Sequence, residues 1–208
     1  MEIKIFDNFL KVEDLEVLEN LVLPLIQSDE IKIFNNKIFK NSISSSEFLP
    51  EKILKRFHEN YHSKAFDLLK NLYPEKAKLY EYSEFSLILT GKNYKFPIHD
   101  DTPNKLLSGV IYINPEKNNG TTFYESQNGK NSNQIEWKKN RAVFFSRRER
   151  ETWHSYEGDG INNRFALVYN LMTNDIKSVC KIEKKFFFLS FLRFKLNTYL
   201  YRYFKKLI

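Results

Sequence analysis

The 208-residue chain has one cysteine, six prolines, six glycines and no long hydrophobic run. Cys180 has no partner for an internal disulfide, so the fold is expected to rest on its core, in a reducing, cytoplasmic compartment. A chain of this length can hide roughly 70% of its unfolded surface, enough to fold without cross-links. No Pro- or Gly-rich stretch separates independent domains. The longest apolar cluster, Phe186 to Leu192, falls far short of the roughly 20 residues that a membrane-spanning helix needs, and Arg193 and Lys195 prevent its extension. Met1 to Asp7 lacks the pattern of a targeting segment.

Charge is plentiful but unevenly placed. The net +7 comes from 33 Lys and Arg against 26 Asp and Glu. Residues 181–208 hold eight of the bases and only one acid, Glu183, so residues 1–180 carry 25 of each sign. A neutral body therefore continues into a basic tail, which divides the chain into one domain over 1–180 and a tail over 181–208.

Residues 11–26 place Leu15, Leu18, Leu21, Val22, Leu25 and Ile26 at helical spacing, with acids in the first turn, and predict an amphipathic helix. Ile31 to Phe34 and Lys37 to Phe39 flank Asn35-Asn36, the pattern of a short hairpin. Ser42 to Ser46 reads as a loop. From Pro50 to about Leu72, Ile53, Leu54, Phe57, Tyr61, Ala65, Leu68, Leu69 and Leu72 share one arc of a second helix. After Pro74 the period shortens to about two, with apolar runs at 85–89, 107–113, 121–124, 141–145 and 164–171. The expected class is α+β and mainly β. Residues 1–74 supply helical support and the hairpin, residues 75–172 form a double-stranded β-helix or jelly roll of seven or eight strands, and a basic helix closes the chain.

All four histidines fall in patterns that suit a metal. His58-Glu59-Asn60-Tyr61-His62 reads H-E-x-x-H on the second helix, where two imidazoles four residues apart could share a zinc and Glu59 could activate its water; the nearest candidates for a third ligand, Glu81 and Glu84, fall where a strand rather than a second helix is expected. The other pattern is His99-Asp100-Asp101. On a strand, His99 and Asp101 would point to one face, and His154 could supply a third ligand. Two His and one carboxylate leave open positions on the metal, an arrangement suited to Fe(II). Ten residues beyond His154, Arg164 opens an apolar strand; a cation there needs a partner, and a guanidinium is shaped to grip a carboxylate.

Residues 79–172 resemble the Fe(II)- and 2-oxoglutarate-dependent dioxygenases, in their prolyl-hydroxylase-like branch. The resemblance rests, in order, on His99-Asp100-Asp101-Thr102-Pro103, Val110 to Asn114, Gly120-Thr121-Thr122-Phe123, Asn140 to Phe145, Trp153-His154-Ser155 and Arg164 to Tyr169. The opening Ile5 to Leu10 also looks like the start of such proteins. It implies Fe(II) held by His99, Asp101 and His154 as the catalytic centre, and 2-oxoglutarate paired through its far carboxylate to Arg164. It further implies Tyr112 as a hydrogen-bonding partner of that cosubstrate, dioxygen as oxidant, and ascorbate as a candidate reductant. The product would be a hydroxylated peptide, prolyl or otherwise, or a small molecule. Ala166 and Asn170 depart from the serine and arginine found at these positions in plant-type and demethylase members, and Asn170 counts against repair of alkylated bases. Tyr94 and Phe96 are candidates to line the pocket, and residues 92–95, 126–132 and 147–152 to form its mouth, where Arg147, Arg148 and Arg150 would either meet an acidic substrate or simply face water.

Two other functions fit the sequence: a zinc hydrolase built on His58, Glu59 and His62, and a jelly-roll binding protein without turnover. For the tail, the candidate partners are the domain itself, a second copy of the chain in a homo-oligomer, or a membrane surface; nucleic acid is disfavoured.

Overall fold

A computed structural model describes residues 1–41, 43–204 and 207. Its elements, in order, are β1 (Lys4–Phe6), α1 (Val12–Glu19), β2 (Ile31–Phe39), β3 (Ser44–Ser46), α2 (Glu51–Leu72), α3 (Pro74–Ala77), β4 (Tyr82–Thr90), β5 (Lys95–His99), β6 (Lys105–Asn114), β7 (Thr122–Tyr124), β8 (Asn133–Gln134), β9 (Ala142–Phe145), β10 (Trp153–Glu157), β11 (Arg164–Met172), α4 (Ile176–Ile182) and α5 (Phe187–Phe204). The strands form two antiparallel sheets, one of seven in the order β1-β9-β6-β11-β4-β2-β3 and one of four in the order β5-β10-β7-β8. The fold is thus α+β with β predominant, and eight strands lie between Tyr82 and Met172 among the described residues.

The large sheet separates a core from a cavity through the two-residue period of its strands. Phe85, Leu87 and Leu89 on β4, Leu107 and Ile111 on β6, and Leu167, Tyr169 and Leu171 on β11 join a core with Leu54, Phe57, Tyr61, Ala65 and Leu69 of α2. The alternate residues Ile88, Thr90, Ser108, Val110, Arg164 and Val168 turn the other way and line a cavity that the small sheet also borders. Helix α2 ends as its sequence requires. Tyr73 precedes Pro74 and takes φ −157° and ψ 82°, outside the helical region that the proline ring disfavours for its predecessor.

The N-terminal third departs from expectation in three places. The helix expected over 11–26 stops at Glu19, because Pro24 offers no N–H to a continuing helix and crowds the turn before it; Val22 and Leu25 are left exposed. The hairpin expected around Asn35-Asn36 is instead one uninterrupted strand, β2, paired along β4 from Ile31↔Thr90 to Phe39↔Tyr82. Asn36 is fully buried: its Oδ1 accepts from Ser46 Oγ at 2.7 Å, Phe48 N at 3.1 Å and Leu49 N at 3.0 Å, and its Nδ2 donates to the Phe85 carbonyl at 2.8 Å. With a further bond from Nδ2 to the Phe34 carbonyl at 3.2 Å, the amide makes five hydrogen bonds inside the fold and is held in the strand rather than in a turn. Of the expected loop, Ser42 lies outside the described residues and Ser44–Ser46 pair with β2 as β3.

Candidate metal centre

Strands β5 and β10 lie side by side, with His99 directly opposite His154. Their rings are 4.2 Å apart between centroids. Each Nδ1 faces a backbone carbonyl two residues earlier in the chain, Pro97 O for His99 and Thr152 O for His154, both at 2.9 Å. A carbonyl only accepts, so Nδ1 carries the proton and Nε2 keeps its lone pair for a metal. Asp101 does not reach them by strand alternation, since β5 ends at His99. The loop before β6 brings it in, so that one ligand atom from each of His99, Asp101 and His154 lies within 4.8 Å of the others. Among the described residues no other group of three His, Cys, Asp or Glu is so placed.

The electrostatics favour the ligand forms. Burial pushes the His99 imidazole down to about 3, reinforced by His154 and opposed by Asp101. Burial alone would raise Asp101, but the Lys105 ammonium beside it outweighs burial and holds the carboxylate well below its usual range. Lys105 Nζ donates to Asp101 Oδ1 at 2.6 Å and Ser108 Oγ to Oδ2 at 2.5 Å. Phe96 meets the His99 ring edge-on at 4.3 Å, and Phe145 meets His154 at 5.1 Å. Two neutral imidazoles and an ionised carboxylate are the donor set that Fe(II) accepts with positions to spare.

The cavity, about 440 Å³, extends from this cluster to Arg164. Arg164 is buried, its Nε finds no hydrogen-bond partner, and among the described residues no carboxylate pairs with it. Aromatic rings surround it instead: Tyr156 at 4.0 Å, Trp137 at 5.5 Å and Tyr112 at 5.8 Å. Cation–π contact compensates only part of the desolvation of a guanidinium. An orphaned buried donor facing a cavity fits an anionic ligand, and a carboxylate matches its fork.

Tyr112 is differently engaged. It is fully buried and stacked on Trp137 at 4.4 Å; its hydroxyl accepts from Thr121 N at 2.9 Å and donates to Thr121 Oγ1 at 3.1 Å. Gly120 makes this contact accessible, because a Cβ there would fall 1.8 Å from the Ile135 carbonyl oxygen. Thr121, rather than Tyr112, is the member of this pair that lines the cavity. Tyr94 and Phe96, which the sequence leaves open between the pocket and ordinary sheet packing, line it. Arg147 is not a mouth charge. It is buried, donating from NH1 to Glu183 at 2.7 Å and from Nε to the Asp101 carbonyl at 2.9 Å.

His58 and His62 stack on α2 at 4.4 Å, but no third ligand joins them, Glu59 is exposed, and the His62 ring packs against Tyr80 and Phe66. The zinc-hydrolase geometry is absent among the described residues.

Sequence reasoning missed Lys105, Ser108, Tyr156 and Arg193. Tyr156 had a signal, being two residues past His154 on one strand. The other three had none, because their contacts depend on how whole elements pack: Lys105 and Ser108 stand on β6 against Asp101, and Arg193 on α5 grips Asp100 through bonds of 2.6 and 2.9 Å.

No protein-family profile and no curated protein matches the chain. Solved structures do. A Pseudomonas putida prolyl-4-hydroxylase aligns over 83% of this chain and 92% of its own at 14% identity and TM-score 0.55. An oxidoreductase of the 2OG-Fe(II) oxygenase family from Burkholderia pseudomallei aligns over 82% and 84% at 15% identity and TM-score 0.56. A Trichoplax adhaerens prolyl hydroxylase, solved with a peptide fragment of the hypoxia inducible factor oxygen degradation domain, aligns over 85% and 86% at 15% identity and TM-score 0.56. The fold is therefore that of the 2OG-Fe(II) oxygenases, in their prolyl-hydroxylase-like form.

Proposed function

We propose that this protein is an Fe(II)- and 2-oxoglutarate-dependent dioxygenase, acting as a hydroxylase in the inter-sheet cavity of a double-stranded β-helix. One observation carries the reading: a single cavity joins a His-Asp-His cluster to a buried guanidinium without a carboxylate partner. His99, Asp101 and His154 would hold the metal, and Arg164 the far carboxylate of the cosubstrate. When bound, the metal supplies the redox chemistry that couples decarboxylation of 2-oxoglutarate by dioxygen to oxygenation of an unactivated C–H bond.

The chain's own residues prepare that chemistry. The Pro97 and Thr152 carbonyls fix the tautomer and orientation of the two imidazoles. Lys105 and Ser108 keep Asp101 ionised and positioned. Ile31, Ile33, Ile88, Val110 and Phe145 give the cavity an apolar wall that limits water. Tyr156 packs on Arg164, Thr121 lines the same cavity, and the Tyr112 hydroxyl would act through Thr121. For the substrate we favour a peptide or a small molecule, a reading that the peptide bound by the Trichoplax neighbour supports. Residues 1–180 form the oxygenase unit in this reading. A cytoplasmic setting is supported by the single cysteine, free and buried.

Anaerobic addition of Fe(II) and 2-oxoglutarate tests the reading. The expected result is a visible charge-transfer band that His154→Ala abolishes; no band in the wild type, or a band that survives His154→Ala, overturns it. Mass spectrometry for an added oxygen atom would then identify the substrate.

A further inference from the structure

Helix α5 faces the opposite way from a helix that packs only on its own protein. Ser190, Arg193, Phe194, Asn197 and Tyr201 turn inward and line the cavity. Ser190 Oγ donates to Glu149 at 2.6 Å, Arg193 holds Asp100, and the Tyr201 ring lies 5.1 Å from Phe96 with its hydroxyl against that of Tyr94. The outer side carries Leu189, Leu192, Leu196, Tyr199 and Tyr203, which are 62, 52, 40, 56 and 60% exposed. Phe186 and Phe188, also exposed, extend this strip at the start of the helix. An amphipathic helix is normally stabilised by burying its apolar side. In α5 the buried side is held by specific hydrogen bonds and an ion pair as well as by the rings of Phe194 and Tyr201, while large apolar residues on the other side are left in water. A contiguous exposed apolar strip marks an interaction site.

Charge decides what covers it. Of the tail's nine charged residues, Glu183 and Arg193 are turned inward to Lys76, Arg147 and Asp100. Lys181, Lys184, Lys195 and Arg202 are exposed. Lys195 lies 5.4 Å over the Phe191 ring and Arg202 5.6 Å over Tyr203, so bases and exposed rings share one surface. A second copy of the chain would bring two basic tails together, and the neutral body offers no net negative charge to offset them. An anionic bilayer offers negative headgroups and an apolar layer together. No helix of the described residues is long and apolar enough to cross a membrane, so the fit is that of a helix lying in the interface plane. We propose that the outer face of α5, with Phe186 and Phe188, docks on an anionic membrane surface. Because the inner face of the same helix roofs the cavity, docking sets the cavity beside the bilayer. The surface is independent of the chemistry inside the cavity.

Flotation of the full chain with phosphatidylcholine vesicles, with and without phosphatidylglycerol, tests the proposal. The wild type should float with the anionic vesicles only, and less so as salt rises. Leu192→Glu with Leu196→Glu should weaken binding by roughly ten-fold or more, since two apolar anchors are lost, with the melting temperature and helical circular dichroism unchanged. Should that variant fold poorly, Lys195→Glu with Arg202→Glu leaves the apolar strip intact and should weaken anionic binding by roughly ten-fold through charge alone. A wild type that ignores anionic vesicles overturns the proposal, as does equal binding by the well-folded charge variant. So does a stable dimer that the leucine variant dissociates in the absence of lipid.

Discussion

His58 and His62 stack at 4.4 Å between ring centroids, and His99 and His154 lie at 4.2 Å. The distance between rings therefore does not distinguish the two pairs; the surrounding groups do. In the strand pair each Nδ1 has a carbonyl to donate to, and Asp101 closes the triangle. In the helix pair both Nδ1 atoms are buried without a partner, because the carbonyls one turn back are already used by the helix ladder, and no carboxylate joins them. Burial lowers both helix histidines, His62 to about 4. A local motif supplies two ligands on one face; a metal centre also needs a third group brought from elsewhere and orientation of the first two.

The comparison breaks most decisively at the metal. His99→Ala or His154→Ala should lower Fe(II) affinity by about 100-fold or more, beyond the roughly 10–100-fold typical of losing an outer-shell partner, whereas His58→Ala and His62→Ala should leave stoichiometric binding intact. Equilibrium dialysis with metal analysis checks this, and zinc retained through His99→Ala but lost in His58→Ala would reverse the assignment. Next comes the support behind the strand pair alone. Glu183 binds Lys76 at 2.5 Å and Arg147 at 2.7 Å in the interior, so Glu183→Ala leaves buried Lys76 without a carboxylate and Arg147 with only its longer contacts to Glu149 and Asp100, and should cost about 3–5 kcal/mol in urea unfolding.

Arg164 sharpens the same contrast. Arg164→Met should weaken 2-oxoglutarate binding by about 30-fold or more, through loss of a charge-assisted pair of about 2 kcal/mol or more, while iron still binds. It should also raise the melting temperature of the ligand-free protein, because an orphaned buried cation is replaced by an apolar chain. Unchanged cosubstrate affinity would remove Arg164 from the site. The smallest effect concerns pH. The unfolded chain protonates His62 near its ordinary value of about 6.5 while the folded chain waits until about 4, so the unfolded state binds more protons between these values and stability falls as pH drops through that window. His99, lowered further, acts with the same sign. His62→Leu should flatten the decline between about pH 7 and about pH 5, read from urea midpoints; an equally steep decline would show that His62 does not carry it.

Much of the site is legible in the order of the chain. His99, Asp101, His154 and Arg164 stand in strings whose residue types are demanded by ligand chemistry, and the structure gathers them around one cavity. Strand alternation is nevertheless the wrong reason for Asp101, since a loop and not the strand period turns it inward. The N-terminal third is harder to read. Leu21 to Ile26 continue a helical spacing that Pro24 ends, and Asn35-Asn36 look like a turn only until the demands on a buried amide are known. In the tail, a closing basic helix is legible but its surroundings are not, because hydrogen bonds to Glu149 and Asp100, far away in the chain, fix it on the domain. Glu183, which composition merely subtracts from the tail's charge, binds two buried cations.

By itself the sequence determined the β-rich class, the long helix α2, the neutral body with its basic tail, and the four residues that suit a metal and a carboxylate. These arise from local periods and side-chain chemistry, which any fold must respect. Only the tertiary structure decided which histidine pair gains a third ligand, that Arg164 lacks a carboxylate partner among the described residues, and that α5 lays Ser190, Arg193 and Asn197 on the cavity. Each of those outcomes depends on residues far apart in the chain, as Asp100 and Arg193 are, being brought within hydrogen-bond reach.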